Sequence, residues 1–244
     1  MRWAVTQAVV VGLFGALYFG VASLTPLSIP TTWATALLCL LLVDLGYYWE
    51  HRLSHEVTVF WASFHSTHHS ANHYDQSVGL RTSFTEYLLN VLALGANVAL
   101  IAVGFHPLLV LASYGLMLAW QQWIHTETVG RLPWLDGWLN TPSNHRVHHG
   151  RNPEYLDRNY GGIFMVWDRL FGTYTPETVP VDYGLVHRLE SHHPVAVHFS
   201  VWLGLAPKLA RARTWGEVGR LLLGPPTPTV TPRDAGSANH TGRR

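Results

Sequence analysis

The sequence predicts an all-α integral membrane protein: a four-helix transmembrane bundle with a cytoplasmic helical cap that holds a histidine-rich two-metal site. Three observations carry this. Charged residues make up only 13% of the 244, while 48% are hydrophobic, against about 25% charged in an ordinary soluble domain. Lys and Arg are absent from Trp3 to His51 and from Thr82 to Gly130. The sixteen histidines are unevenly spread, and nine of them fall in two short clusters, His51, His55, His65, His68, His69 and His73, then His145, His148 and His149.

Four stretches are long and apolar enough to cross a bilayer as helices, which takes roughly 20 residues. They run over about 4–24, 32–49, 86–105 and 107–124. The first reads as a span and not as a cleaved signal, because a second apolar run follows it closely. Thr-Pro-Leu-Ser-Ile-Pro and Gly-Phe-His-Pro turn the two hairpins, and Tyr47, Tyr48, Trp49, Trp120 and Trp123 supply interfacial aromatics. Asn90, Asn97 and Gln121 weaken the second hairpin, which could instead be re-entrant or buried in protein. An even number of crossings leaves all sixteen Lys and Arg on one side. The positive-inside rule makes that side cytoplasmic, with both termini and both histidine clusters. Residues 50–81 and 125–223 form the cap, so residues 1–224 make one membrane domain. Within it, residues 200–223 read as amphipathic helices, on the membrane surface or packed on the cap. Residues 225–244 are rich in Pro, Thr, Ser and Gly and are expected to be a disordered tail. The net charge of +1 gives no case for nucleic-acid binding. Cys39 stands alone, so it reads as a small packing residue.

The chemistry lies in three histidine boxes. His51-Arg-Leu-Ser-His55 continues the second apolar stretch, and spacing of four puts both rings on one helix face. His65-Ser-Thr-His68-His69 and His145-Arg-Val-His148-His149 share a second spacing that presents three imidazoles each. A lone HxxxH is common, whereas HxxHH twice with HxxxH before it is specific. Eight imidazoles exceed the four that close a zinc site, and a pair of first-row ions fits the number better. Imidazole suits iron, zinc, copper and nickel alike. His125 is a further candidate ligand, one helical turn after Gln121. Asp44, two turns before His51, is costly in an apolar helix. It could orient a ligand imidazole or cap another buried polar contact. Glu56 and Glu127 adjoin candidate ligands and could orient them or carry protons, or be solvated charges. His73, His106, His187, His192, His193, His198 and His240 lack the spacing and are left outside the site. Two other readings make contrasting demands. A zinc hydrolase calls for an HExxH helix, which is missing. A metal transporter or sensor calls for polar ligands inside the spans, and these histidines lie outside them.

The boxes, with Asn140-Thr-Pro-Ser, Asn159-Tyr-Gly-Gly and Trp167-Asp-Arg-Leu-Phe-Gly-Thr173, resemble the fatty acid hydroxylase superfamily, also called the sterol desaturase family. The similarity covers roughly residues 40–190 and is greatest to the alkylglycerol monooxygenase branch. One departure is Asn144, where that branch carries another histidine. The resemblance implies a membrane enzyme with two iron ions that hydroxylates, or else desaturates, a fatty acyl, alkyl-ether or sterol-like lipid. Dioxygen and an external reductant would be consumed, the reductant being an electron donor protein or, from the branch, a tetrahydropterin. It also implies that His51, His55, His65, His69 and His148 hold one iron, and His68, His125, His145 and His149 the other.

Overall fold

A computed structural model describes residues 2–83, 85, 91–187, 189, 191 and 193–226. Two long helices come first, α1 (Arg2–Leu24) and α2 (Trp33–Glu56). Thr32 caps α2 by accepting from Thr35 N, and Thr35 returns the bond in a capping box. Val57 is extended and ends α2. The chain resumes at once as α3 (Thr58–Phe60), a π-helical turn (Trp61–His65) and α4 (Ser66–His69). Then come a 3₁₀ turn (Val78–Leu80), α5 (Val91–Ala102) and α6 (Pro107–Ile124). Helices α7 (Pro142–His149), α8 (Val166–Phe171), α9 (Pro194–Arg211) and α10 (Trp215–Leu223) complete the cap. Among the described residues there is no strand, only isolated bridges pairing Leu139 with Phe164 and Gly150 with Tyr183.

Helix α2 is the central post. It packs on α5 and α6, and α1 packs on the same pair. Tyr18, Cys39, Val43, Ile101, Phe105 and Val110 form the shared core, with Cys39 a packing residue as expected. The two hairpin turns are tied at the end far from the histidines, Ile29 N donating to Gly104 O (2.8 Å) and Thr25 Oγ1 to Ala102 O (2.8 Å). His106 caps α6 at that end, so the post holds its apolar half here and its histidines at the other.

The four expected spans coincide with helices of the structure. Their places are taken by α1, α2, α5 and α6, with residues 86–90 outside the described residues. Among the described residues no helix is long and apolar enough to cross a membrane. Polar residues interrupt two of these helices. Helix α2 gives its last turns to Glu50, His51, Arg52, His55 and Glu56. Helix α6 carries Gln121 and Gln122. The cytoplasmic assignment, which rested on an even number of crossings, loses that support.

Residues 200–223 form the end of α9 and all of α10. Helix α9 packs on the π turn and α4 with Val197, His198 and Leu205 buried, and α10 packs on α3. Thr58 fixes the end of this roof, donating from its N (2.9 Å) and Oγ1 (2.8 Å) to Gly224 O. Residues 227–244, most of the expected tail, lie outside the described residues.

Candidate metal centre

Four elements bring the nine candidate histidines together. Helix α2 supplies His51 and His55, the π turn with α4 supplies His65, His68 and His69, the end of α6 supplies His125, and α7 supplies His145, His148 and His149. They sort into two groups. His51, His55, His65, His69 and His148 form one, and His68, His125, His145 and His149 the other, with the candidate ligand atoms of each within 4.8 Å of one another. The π turn inserts an extra residue per turn just before α4, which redirects the following side chains. His65 and His69 thereby face one group while His68 faces the other.

The nitrogen spacing speaks for ligation. In the first group the Nε2 of His65 lies 3.1 Å from those of His51 and His69, and His148 Nε2 lies 3.1 Å from His69 Nε2. In the second, His125 Nε2 lies 3.2 Å from His68 Nε2 and 3.0 Å from His145 Nε2. Metal–imidazole bonds of roughly 2.0–2.1 Å at right angles place neighbouring nitrogens about 3.0 Å apart, whereas tetrahedral angles place them about 3.4 Å apart.

Protons cannot complete all of these contacts as hydrogen bonds. A neutral imidazole has one N–H. His51 Nδ1 spends it on Tyr160 O (2.9 Å), His148 Nδ1 on Arg158 O (2.9 Å) and His125 Nδ1 on Gln121 O (2.6 Å). Their Nε2 atoms therefore point bare lone pairs inward. Charging the rings is disfavoured, because burial pushes His51 down to about 3 and His125 to about 4. Burial also holds His65, His68, His69, His145, His148 and His149 well below the usual imidazole range. His55 Nε2 and His149 Nε2 are buried with no hydrogen-bond partner among the described residues. Converging lone pairs and orphaned nitrogens fit a bound cation in each group. The donor set alone does not name the ion.

The carbonyls that orient His51 and His148 come from one strained loop. Asp157 and Asn159 both have φ of 58°, a region where Asn and Asp are the tolerated L-residues. The alternation turns Arg158 O and Tyr160 O, two residues apart, toward the first group. Asn159 is wholly buried. Its Nδ2 donates to Asn144 O (3.0 Å) and Thr175 O (2.8 Å), and its Oδ1 accepts from Thr175 N (2.8 Å). Asp168 holds the next residues by accepting from Tyr160 N (2.8 Å), Gly161 N (2.8 Å) and Thr173 Oγ1 (2.6 Å).

The three predicted carboxylates do not touch the histidines as ligand-orienting groups would. Asp44 accepts from Ile163 N (2.6 Å), Phe164 N (3.2 Å) and Trp167 Nε1 (2.9 Å). It is the cap of a buried polar contact, tying α2 to the segment after Tyr160, and Gly162 leaves it room where a Cβ would collide with its Oδ1. Glu56 pairs with Arg52 at 2.9 Å and is 40% exposed. Glu127 stands beside Tyr183, whose phenol is pushed up first by burial and then by that carboxylate. Tyr183 stacks on Tyr74 at 5.0 Å, and Tyr74 lies 5.1 Å from His149. Among the predicted outsiders, His73 is exposed near Asp75, and His192 and His240 lie outside the described residues. Asn144 donates to Asp136 O (2.6 Å) and Leu139 O (3.0 Å), and so adds no ligand.

A cavity of about 310 Å³ opens on the first group. His55, His69, His148 and His149 form its inner end, and Leu156, Leu185, Val186, Val201, Leu205 and Leu221 line its wall. Trp61, also in the wall, lies 5.1 Å from His55 and 5.6 Å from His69.

Residues 36–173 match the family model described as fatty acid hydroxylase. A Homo sapiens protein named alkylglycerol monooxygenase is 41% identical over 181 residues, 72% of this chain and 39% of that protein. Its Danio rerio namesake is 44% identical over 157 residues, 64% of this chain and 34% of that one. The Rhizobium tropici protein named ornithine lipid hydroxylase OlsE is 31% identical over 166 residues, covering 66% and 49% respectively. This chain thus spans between about a third and a half of the length of these relatives. No solved structure matches it.

Proposed function

The chain belongs to the fatty acid hydroxylase family, and from that premise we propose that it is a membrane-associated enzyme hydroxylating a C–H bond of a lipid at a two-iron site. The observation that carries the reading is the pair of buried imidazole groups at the inner end of an apolar cavity. His51, His55, His65, His69 and His148 would hold one ion, and His68, His125, His145 and His149 the other. Iron held there would supply dioxygen activation, the chemistry that an unactivated C–H bond requires. Overall, one oxygen atom enters the C–H bond and the other leaves as water, using two electrons and two protons from an external donor.

The chain's own residues have definable tasks. The wall from Leu156 to Leu221 binds an alkyl chain and excludes water. The carbonyls of Tyr160, Arg158 and Gln121 fix the proton on Nδ1 of His51, His148 and His125, so that each Nε2 stays a donor. Asp157, 3.8 Å from His55 Nδ1, favours the same tautomer there. Exposed apolar side chains on one half of the molecule, among them Leu13, Phe19, Trp33, Leu37, Leu108 and Leu116, support burial of that half in a bilayer.

The relatives' names make an alkylglycerol the first substrate to try. Cells making this chain, or His148→Ala at equal abundance, are grown under ¹⁸O₂ and their lipids compared by mass spectrometry. A lipid species carrying one labelled oxygen only with the unaltered chain is expected. A species that loses two hydrogens would move the reading to desaturation. Identical lipids from iron-loaded protein and variant would sink lipid oxidation.

A further inference from the structure

The cavity is asymmetric along its length. Buried histidines line one end, Lys208 and Arg220 line it at the α9–α10 roof, and the wall between is mostly apolar, with Glu56, Arg151, Asp157 and His187 also in the lining. Just outside, Lys208, Arg211, Arg213 and Arg220 border a shallow basin. Four of the chain's sixteen Lys and Arg thus fall between residues 208 and 220. Three other cations around the site are paired: Arg52 with Glu56 (2.9 Å), Arg146 with Glu177 (2.7 Å) and Arg151 with Asp182 (2.6 Å). Among the described residues no ion pair involves the four at the mouth. The one carboxylate in the basin, Glu217, is engaged at the start of α10, its Oε2 accepting from Arg213 N (2.6 Å) and Thr214 N (3.3 Å). All four cations lie on the α9–α10 roof, outside residues 36–173 that match the family model. Unpaired cations side by side repel one another and are relieved by an anion, and guanidinium forks match phosphate oxygens.

We propose that the mouth formed by Lys208 and Arg220, backed by Arg211 and Arg213, binds the phosphate headgroup of a lipid whose alkyl chain lies along the cavity toward the histidines. This rests on the reading of the cavity as the lipid site. It selects among lipids: a phosphate-bearing one is held at both ends, while an uncharged one is held by its chain alone. The wall makes the alkyl part necessary, so free phosphate alone does not fill the site.

The test uses the full-length, iron-loaded chain in an uncharged detergent, with binding read by calorimetry. The probes are hexadecyl phosphate, hexadecanol and inorganic phosphate. The variant is Lys208→Gln with Arg220→Gln, which removes both charges and keeps the side-chain length. Exposed charge contacts are individually weak, so the pair is expected to lose about tenfold in affinity for hexadecyl phosphate. Hexadecanol binding should be unchanged, and added salt should weaken only the phosphate probe. Equal affinity of variant and parent for hexadecyl phosphate would overturn the proposal, as would an equal loss for hexadecanol. Inorganic phosphate binding as tightly as hexadecyl phosphate would assign the mouth to a free anion and overturn the lipid headgroup. Vesicles of phosphatidylcholine with and without phosphatidylglycerol give a further arm. A variant that loses attachment only to the anionic vesicles, with unaltered probe binding, would assign the cations to the bilayer surface. These readouts need no turnover, so they separate from a failure of the lipid-oxidation reading, which appears as unchanged cellular lipids.

Discussion

Replacing Asn159 by alanine tests whether a backbone loop sets the geometry of the five-histidine group. The side chain is wholly buried and makes three hydrogen bonds, to Asn144 O, Thr175 O and Thr175 N. Each is worth about 1 kcal/mol net, and more where a buried partner is left unmet. Alanine also pays about 1 kcal/mol for holding φ at 58°. The sum is about 3–5 kcal/mol, which for a domain of this size lowers the melting temperature by roughly 6–20 °C. The loop's carbonyls at Arg158 and Tyr160 orient His148 and His51, and losing such partners costs about 10–100-fold in metal affinity. Melting of the metal-free protein and iron retention against a chromophoric chelator measure the two effects separately. Asn159→Gly sharpens the test, since glycine accepts the positive φ but makes none of the bonds. It should recover about 1 kcal/mol and little iron affinity. Wild-type iron retention in Asn159→Ala would refute the claim that these carbonyls position the ligands. Full recovery in Asn159→Gly would assign the whole effect to backbone strain.

Two further outcomes are expected. In the metal-free protein all nine imidazoles have depressed pKa values, chiefly from burial, reaching about 3 for His51 and about 4 for His125. The unfolded chain binds protons near pH 6.5 and the folded one does not, so stability is complete above that pH. It falls on acidification by up to about 1.4 kcal/mol per pH unit for each histidine, and denaturant titrations between pH 7 and 5 that gave constant stability would contradict this. Asp44→Asn keeps the shape but sets an amide N–H against one of the three donors, Ile163 N, Phe164 N or Trp167 Nε1. A loss of about 2–4 kcal/mol is expected, read by denaturant midpoint, and a midpoint unchanged from the parent would show that Asp44 does not tie the loop.

The long helices are legible in their apolar runs, since α2 and α6 begin within a residue of the expected 32 and 107. Crossing a bilayer was less legible, because hydropathy reports what an element can bury and not what it packs against. Asp44 shows the difficulty: within an apolar stretch it reads as an intramembrane charge, yet its partners lie 119–123 residues away in the cap. In sequence the roof helices are amphipathic, with two possible resting places. Only the tertiary contacts with α3, α4 and the π turn choose the cap for their inner face.

For the site, the spacing of the boxes identified the residues that the fold gathers, because a ligand must be a particular side chain and repeats leave a visible pattern. What orients those side chains left no such pattern. Sequence reasoning offers three carboxylates, Asp44, Glu56 and Glu127, as acceptors near the boxes. The acceptors in place are main-chain oxygens of Gln121, Arg158 and Tyr160, and every residue has one of those. Their trace in the sequence is indirect. It lies in residues that can hold an unusual backbone, such as Asn159 at positive φ, and in those that can hold its amides, such as Asp168. The Asn159-Tyr-Gly-Gly and Trp167-Asp-Arg strings are therefore parts of one device, although neither contains a ligand. Substitution there should act on metal retention without removing a single donor nitrogen, which distinguishes a loop that positions ligands from a loop that merely covers them.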